Sequence, residues 1–348
     1  LWRECPPRWS LLGGALGTAL LLVLAQPPFG LLPLPFLALV PLSLAVGSLP
    51  KDPRARWQAS LLGFSFGMVF WFLSLAWVPV VVGPFFSWAY PGFLLLLLLL
   101  GGLSALVGWL THFLHREKRV PLGLALPLAW VAVEWIKAHF PLGLSFPWLG
   151  LGVTLTNWPQ LLGLAEWVGE GGVAFWLAAV NGMVADLILI ARTRKDWLSW
   201  VWLLVVALVP VGVGLVRAER LPLEPGPEVV VVGTQVLPEL RGTPVVAAEE
   251  AWDQVEAALA TVTPGAVDLV VLPEGTVPFP MQDPQADELR DALRATASKL
   301  GAAVVVGGLG KVDSGPAAGG LTNSIFLVPR DGSSMQRYDK VRLVPGME

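Results

Sequence analysis

The residues of this chain that are best suited to chemistry are a glutamate and a lysine in its C-terminal third, Glu274 and Lys340. Glu274 follows a short apolar run and stands between Pro273 and Gly275, in a tight turn that can project a carboxylate into a cleft at the carboxyl end of a strand. A carboxylate in that position can act as a general base, and a lysine at a strand end can stabilise an oxyanion. From the residues alone, a turn residue or helix cap and a surface lysine remain alternative interpretations.

The segments around these two residues alternate between strand and helix patterns. Short β-branched runs predict buried strands, and amphipathic segments between them predict helices. The predicted strands are Glu228–Thr234, Asp268–Leu272, Ala302–Gly307, Leu321–Val328 and Met335–Val341, and the predicted helices are Val245–Thr261 and Gln285–Leu300. This alternation predicts an α/β domain in which helices cover a sheet. Because the Gly-rich stretch 310–320 lacks phosphate-loop spacing, no nucleotide site is predicted.

The composition separates this domain from the rest of the chain. The 348 residues are 55% hydrophobic and 14% charged, with a mean hydropathy of +0.66, whereas soluble proteins carry about 25% charged residues. The apolar runs end near Val216, so the sequence predicts a membrane domain over residues 1–220 and the α/β domain over residues 225–348. The net charge of −3 and the lack of a basic stripe predict no nucleic-acid partner.

About seven apolar segments approach the roughly 20 residues that a spanning helix needs. They are Ser10–Ala25, Leu31–Leu49, Trp57–Val80, Trp88–Leu114, Pro121–Lys137, Leu164–Ile190 and Trp197–Val216. Lys and Arg occur at the N-terminus and in every second loop, whereas the loops 26–30, 81–87 and 138–163 contain none. The positive-inside rule therefore predicts a cytoplasmic N-terminus and an α/β domain outside the cytoplasm, in a multi-pass membrane protein.

The predicted outer loop His139–Gln160 has an unusual composition for a loop in water. It has no carboxylate, Lys or Arg, and it carries Phe146 and Trp148 among glycines and prolines. Exposed apolar loops mark interaction sites, so Phe146 and Trp148 are candidate residues for binding a lipid substrate. A loop packed against neighbouring helices is the alternative.

Four carboxylates lie in or beside the apolar segments: Glu134, Glu166, Glu170 and Asp186. Interactions at helix ends explain them more simply than catalysis does, and Glu134 is expected to form a snorkelling pair with Lys137 at the membrane surface. The sequence predicts no metal site and no cofactor.

Two motifs of the α/β domain resemble those of the nitrilase, or carbon–nitrogen hydrolase, superfamily. One is the strand that ends in Pro273-Glu274, and the other is Tyr-Asp-Lys-x-x-Leu-Val-Pro at residues 338–345. A domain of this kind behind several spanning helices is similar to the bacterial apolipoprotein N-acyltransferase family. The segments Pro28-Phe29-Gly30, Trp77-Val78, Phe146-Pro147-Trp148-Leu149-Gly150 and Gly163–Gly182 look like the membrane segments of that family, and they occur in the same order.

The resemblance implies an α-β-β-α sandwich with a Glu, Lys and Cys triad, in which Glu274 is the general base and Lys340 the oxyanion stabiliser. Glu348 would match a supporting glutamate, although Pro-Gly-Met-Glu stands at 345–348 where the family has Pro-Phe-Gly-Glu. The cysteine nucleophile is expected beyond Lys340. Cys5, the chain's one cysteine, precedes the first helix and cannot replace it. We therefore expect a C-terminally truncated chain with an incomplete nitrilase-like domain, inactive by itself.

The reaction that the resemblance implies joins two lipid-anchored substrates. A fatty acyl group would move from a membrane phospholipid to the enzyme as a thioester, and then to the N-terminal α-amine of a diacylglyceryl-cysteine lipoprotein. The implied partners are thus the phospholipid donor, the lipoprotein acceptor and the bilayer.

Three other functions remain open at the level of sequence. A membrane-tethered amidase of the same superfamily would act on small amides without phospholipid. A lipid-binding or transport protein with an accessory α/β domain would tolerate loss of Glu274. A structural relic would require the gene itself to end at residue 348.

Overall fold

A computed structural model of the chain describes residues 8–83, 88–141, 144–190, 197–220, 224–235, 244–274, 276–312 and 318–341. The chain divides into two compact units, Leu1–Pro222 and Leu223–Glu348. Each unit has its own cluster of buried apolar side chains.

The first unit is helical, and each of the seven predicted apolar segments contains at least one α-helix. The helices are α1 (Arg8–Ala25), α2 (Val40–Gly47), α3 (Pro53–Leu75), α4 (Trp77–Val82), α5 (Ala89–His112), α6 (Leu122–Ala138), α7 (Ala165–Ile190) and α8 (Trp197–Arg220). Among the described residues, four helical stretches are long and apolar enough to cross a membrane: Pro53–Leu75, Ala89–Glu117, Ala165–Leu189 and Trp197–Arg220. The first unit is therefore a membrane domain, and the number of seven spans stays a prediction.

The second predicted segment is broken rather than continuous. Its helix α2 has eight residues and a length of about 12 Å, whereas the hydrocarbon core of a bilayer is about 30 Å thick. Polar side chains satisfy the irregular backbone: Leu39 N donates to Asn181 Oδ1 at 2.8 Å, and Asn181 Nδ2 donates to Pro35 O at 2.9 Å. Thr18 Oγ1 accepts from Leu42 N at 2.9 Å. These buried partners allow an interrupted helix inside an apolar unit.

Helix α8 is joined to α7 at two polar points. Pro210 lies inside α8 and has no N–H, so the carbonyl of Val206 lacks its usual helical donor. Trp176 Nε1 on α7 donates to that carbonyl at 2.7 Å. At the C-terminal end of α8, Arg217 forms a bidentate ion pair with Glu166, with N···O distances of 2.7 and 2.9 Å. The ion pair gives Glu166 a structural role.

Asp186 acts as a helix cap. Its Oδ2 accepts from the N–H of Gly123 in the first turn of α6, at 2.9 Å. Helix α7, which carries Asp186, can touch the start of α6 because residue 182 of α7 is glycine. A Cβ at Gly182 would lie 2.3 Å from the carbonyl oxygen of Leu122.

The loops gather at two ends of the membrane domain. At one end, Arg56 in α3 bonds Glu117 after α5, with Nη2 2.9 Å from Oε2. At the other end, Gln26 Nε2 after α1 donates to the carbonyl of Gly150 at 3.2 Å. The basic loops after α2 and α5 thus share one end, and the loops after α1 and α6, which contain no Lys or Arg, share the other. Which end faces the cytoplasm stays a prediction.

The second unit contains a mixed sheet. Its elements are β1 (Val229–Val231), α9 (Pro244–Leu259), β2 (Leu269–Val271), β3 (Val277–Pro280), α10 (Asp287–Leu300), β4 (Ala303–Lys311), β5 (Leu321–Val328) and β6 (Gln336–Asp339). In the described residues the sheet has the order β1-β2-β4-β5-β6, and β3 pairs with β4 beside this path. Strands β1, β2 and β4 are parallel, and β4, β5 and β6 are antiparallel. The prediction of strands alternating with helices is confirmed, but β3 was not predicted.

Alternation along the strands separates two faces of this sheet. One face packs against α9 and α10 in a core that includes Val270, Val304, Val306, Phe326, Leu293 and Val255. The other face presents Val231 and Ile325, which are 74% and 50% exposed. In the part of the chain that the structure describes, the unit is one layer of helices on one sheet, in agreement with half of an α-β-β-α sandwich.

Candidate functional site

Glu274 lies two residues after Leu272, where the chain leaves the parallel strand β2. Strand β4 approaches its backbone closely, since a Cβ at Gly307 would lie 2.7 Å from Glu274 Cα and 3.1 Å from the carbonyl oxygen of Pro273. Thr276 Oγ1 closes the turn by donating to that same carbonyl at 2.7 Å. The glycine in β4 therefore leaves room for the turn that carries Glu274.

Lys340 follows β6 directly, and the pairing of β6 with β5 orients it. Its N–H donates to the carbonyl of Asn323 at 2.8 Å, and Asp339 pairs with Ser324 in the antiparallel register. Because side chains alternate across a strand, Lys340 lies on the opposite face from Asp339. It thus lies on the sheet face opposite α9 and α10, which carries no helix among the residues that the structure describes.

The structure brings Glu274 and Lys340 together. Lys340 Nζ lies 3.8 Å from Glu274 Oε1, and the side chains are 35% and 69% exposed. An exposed pair at this distance contributes little to stability because water screens it. The pair is more informative about chemistry, since it places a proton acceptor and a cation beside one another. The catalytic roles of the two residues stay predictions.

Asn323 is a third polar residue at this place, and the sequence reasoning missed it. Its Nδ2 donates to Glu274 Oε1 at 2.5 Å. It lies on β5, on the same face as Lys340, so the strand register brings it to the carboxylate. The available signal was an amide between Leu321 and Ile325, on a face of β5 whose other residues are apolar.

These residues border an open cleft of about 340 Å³. Its remaining lining is mostly apolar and comes from four strands: Val271, Leu272, Val305, Gly307, Ser324, Ile325 and Tyr338. A cleft with an apolar wall and a few converging polar groups suits a ligand that has an apolar portion and a polar group.

A second polar cluster lies behind the cleft, on the helix-covered face. The Arg337 guanidinium binds both carboxylate oxygens of Asp339, at 2.7 and 2.8 Å. Ser324 Oγ donates to Asp339 Oδ1 at 2.7 Å. These contacts, and the guanidinium first among them, lower the pKa of Asp339 to about 2. The cluster joins β5 to β6 at the register that presents Lys340.

The other predicted site residues lie in the membrane domain or outside the described residues. The Phe146 and Trp148 rings are 5.2 Å apart in the loop after α6, and Trp148 is 54% exposed. Glu348 and Cys5 fall outside the part of the chain that the structure describes.

The prediction that Glu134 and Lys137 form a snorkelling pair at the membrane surface is wrong. Lys137 is only 5% exposed, and its Nζ donates to the carbonyl of Trp148 at 2.7 Å. Glu134 Oε1 accepts from Leu151 N at 2.7 Å and from Trp130 Nε1 at 2.9 Å. Both side chains turn inward because the loop after α6 offers them hydrogen-bonding partners.

Each of the two units matches a known protein family. Residues 18–183 match the apolipoprotein N-acyltransferase N-terminal domain, and residues 237–348 match carbon–nitrogen hydrolase. Proteins named apolipoprotein N-acyltransferase from Geobacter metallireducens and Pseudomonas aeruginosa are 30% and 31% identical, over 94% and 95% of this chain. One from Rhizobium meliloti is 28% identical over 94% of it.

The matched regions span 62% of the Geobacter and Rhizobium proteins and 63% of the Pseudomonas protein. The similarity is continuous across the membrane domain and the α/β unit, so it covers the same combination of folds that the structure displays. Both units of the chain are therefore similar to apolipoprotein N-acyltransferases, the first by its match to their N-terminal domain and the second by its match to carbon–nitrogen hydrolase.

Proposed function

We propose that the protein, at the full length of its relatives, moves a fatty acyl group from a phospholipid to the N-terminal α-amine of a diacylglyceryl-cysteine lipoprotein. The observation that carries this proposal is the meeting of Glu274 and Lys340, 3.8 Å apart, at the edge of a cleft with an apolar wall. The family's chemistry needs a base and a cation around one carbonyl, and both are present here.

In the first half of the reaction, a cysteine thiol supplied by the full-length protein attacks the donor ester. Glu274 accepts the thiol proton, and the thiolate adds to the ester carbonyl. Lys340 stabilises the negative oxygen of the tetrahedral intermediate. When the intermediate collapses, the carbon–oxygen bond of the ester breaks, and the lysophospholipid alkoxide leaves with the proton held by Glu274. The product is an acyl thioester.

In the second half, the α-amine of the lipoprotein attacks the thioester. Glu274 accepts the amine proton and returns it to the departing thiolate, so the amide forms and the thiol is regenerated. Asn323 has a positioning role in both halves, because its amide holds one oxygen of the Glu274 carboxylate. Phe146 and Trp148 are proposed to contact the acyl donor, and the cleft is proposed to face the outer side of the inner membrane.

The test uses the full-length protein in detergent micelles with a fluorescent phospholipid, and it measures labelled thioester on the enzyme. Glu274→Gln and Lys340→Ala should abolish the thioester while the protein still inserts into membranes. Lys311→Ala is a matched control, because Lys311 pairs with Asp283 and does not line the cleft. Undiminished acyl transfer by Glu274→Gln or Lys340→Ala would contradict the assigned roles.

The same preparation separates this function from its alternatives. Hydrolysis of small amides without phospholipid would establish the tethered amidase. Phospholipid binding that survives Glu274→Ala, without any thioester in the parent protein, would establish a lipid-binding protein.

A further inference from the structure

The loop after α6 contains a backbone position that an ordinary side chain disfavours. Leu149 has φ of +56°, in the left-handed region where a Cβ crowds the following carbonyl. A residue that is not glycine keeps this conformation only where its surroundings hold it, and such positions concentrate at ligand-binding segments. Leu149 directly follows Trp148, the exposed indole of the loop.

Two side chains of α6 hold the backbone on either side of this strained residue. Lys137 Nζ binds the carbonyl of Trp148 at 2.7 Å, and Glu134 Oε1 binds the N–H of Leu151 at 2.7 Å. Residues three apart lie on the same face of a helix, so the two charged groups reach the loop together. The loop is thereby attached to the end of α6 on both sides of Leu149.

The ammonium group of Lys137 has further partners inside the domain. Its Nζ lies 4.9 Å from the ring centroid of Trp71 and 6.0 Å from that of Phe146. Trp71 is itself fixed, since its Nε1 donates to Ser104 Oγ at 3.2 Å. Aromatic faces and a carbonyl stabilise a desolvated cation. The Lys137 ammonium therefore links its own helix α6 to the loop and to Trp71 of α3, which is in turn bonded to α5.

We propose that Lys137 is a positioning residue for the phospholipid acyl donor, which it serves by holding the loop in the conformation that keeps Trp148 exposed. The inference rests on the proposed function, in which Phe146 and Trp148 contact that donor. A lysine at the C-terminal end of a helix also complements the helix dipole, but a dipole effect does not require a contact with Trp148.

The first test measures the loop without measuring activity. Backbone hydrogen exchange is followed by mass spectrometry on this chain in lipid nanodiscs, in peptides that cover residues 144–152. Lys137→Met keeps the length of the side chain and removes its charge, so exchange of these peptides should rise about tenfold. Lys137→Arg should stay close to the parent. Trp176→Phe is the control, since it removes a buried hydrogen bond between α7 and α8 that does not involve the loop.

A second variant separates a held loop from a damaged domain. Glycine adopts positive φ without strain, so adding Leu149→Gly to Lys137→Met should recover part of the lost protection. Exchange in Lys137→Met that stays at the parent value, or that rises equally throughout the membrane domain, would overturn the proposal.

The third test measures thioester formation in the full-length protein at different mole fractions of phospholipid. Lys137→Met should raise the KM for the phospholipid several-fold and leave kcat within about twofold, because Glu274 and Lys340 are unchanged. Lys137→Arg should restore the KM. A lower kcat with an unchanged KM would overturn the positioning role. A parent protein that forms no thioester would contradict the proposed function instead, and the exchange experiment would then still show whether Lys137 holds the loop.

Discussion

The candidate site depends on a few polar contacts between residues that are far apart in the chain. Glu274 has two neighbours of different kinds, an ammonium at 3.8 Å and an amide at 2.5 Å. The amide is neutral and its position is set by a paired strand. It can therefore orient the carboxylate without competing for the proton that the carboxylate is proposed to accept.

We expect Asn323→Ala to slow thioester formation about tenfold or more in the full-length protein. A hydrogen bond to a charged group is worth about 1.5–3 kcal/mol, and Glu274 loses its orientation without it. Asn323→Asp should be more harmful, because it places a second carboxylate beside Glu274. Gln282→Ala serves as the control, since the Gln282 amide bonds the backbone of Lys311 and does not line the cleft. Equal rates in Asn323→Ala and the parent would exclude the positioning role.

Asp339 makes a pH-dependent contribution to the stability of the α/β unit. Its pKa is lowered from 3.8 to about 2 in the folded protein by Arg337 and its other partners. A lowered folded-state pKa stabilises the fold above the unfolded value and loses this effect as the pH falls through the folded value. Asp339→Asn should therefore lower the thermal midpoint at pH 7, and the difference from the parent should shrink between about pH 4 and pH 2. A difference that does not change with pH, measured by circular dichroism, would contradict the ion-pair explanation.

At the scale of elements, close backbone contacts set the positions of the functional side chains. Strand β4 has glycine at 307 and 308. The turn after β2 that carries Glu274 lies against Gly307, and β3 lies against Gly308. In the membrane domain, Gly182 likewise lets α7 approach the start of α6. In both units, a glycine without a side chain leaves the space into which the neighbouring element packs.

Gly307→Ala should reduce thioester formation without unfolding the sheet. The new methyl would lie 2.7 Å from Glu274 Cα, so the turn must shift and the carboxylate moves relative to Lys340. Displacements of about 1 Å near reacting groups cost on the order of a hundredfold in rate. Gly226→Ala is the control, because nothing lies within 4 Å of its added Cβ. Circular dichroism checks the fold, and a parent-like rate in folded Gly307→Ala would contradict this account of the turn.

At the scale of the whole molecule, the charges of the loops predict how the protein lies in the membrane. The structure groups the basic loops after α2 and α5 at one end of the membrane domain, and the loops after α1 and α6 at the other. The C-terminal end of α8 lies with the second group, because Arg217 pairs with Glu166 at the start of α7. The chain leaves the membrane domain at this end.

Single cysteines in a Cys5→Ser background should report this orientation. We expect a membrane-impermeant maleimide added to spheroplasts to modify Thr156→Cys and Ser334→Cys, and to modify Lys118→Cys only after the membrane is permeabilised. The measurement is the labelling of each variant before and after permeabilisation. The reverse pattern would place the α/β unit in the cytoplasm and contradict the proposed substrates.

The sequence by itself determined the division of the chain, the class of both units and the order of most elements. Hydrophobic run length and residue periodicity depend on whether each residue faces lipid, water or a core, and those are local properties of the chain. The same local pattern misled where proline is present. Strand β3, which contains Pro278 and Pro280, was not predicted and nevertheless pairs with β4. A long apolar run hid the break before α2.

Only the tertiary structure decided which polar groups meet. The resemblance implied that Glu274 and Lys340 act in one triad, but the distance between them depends on the order and register of strands that are distant in sequence. The contact of Asn323 with Glu274, the capping of α6 by Asp186 and the inward turn of Lys137 have the same origin. The partner of a polar side chain depends on how the elements pack against one another. In the sequence, the sign of that packing is the small residues, such as glycine, at the positions where two elements come close.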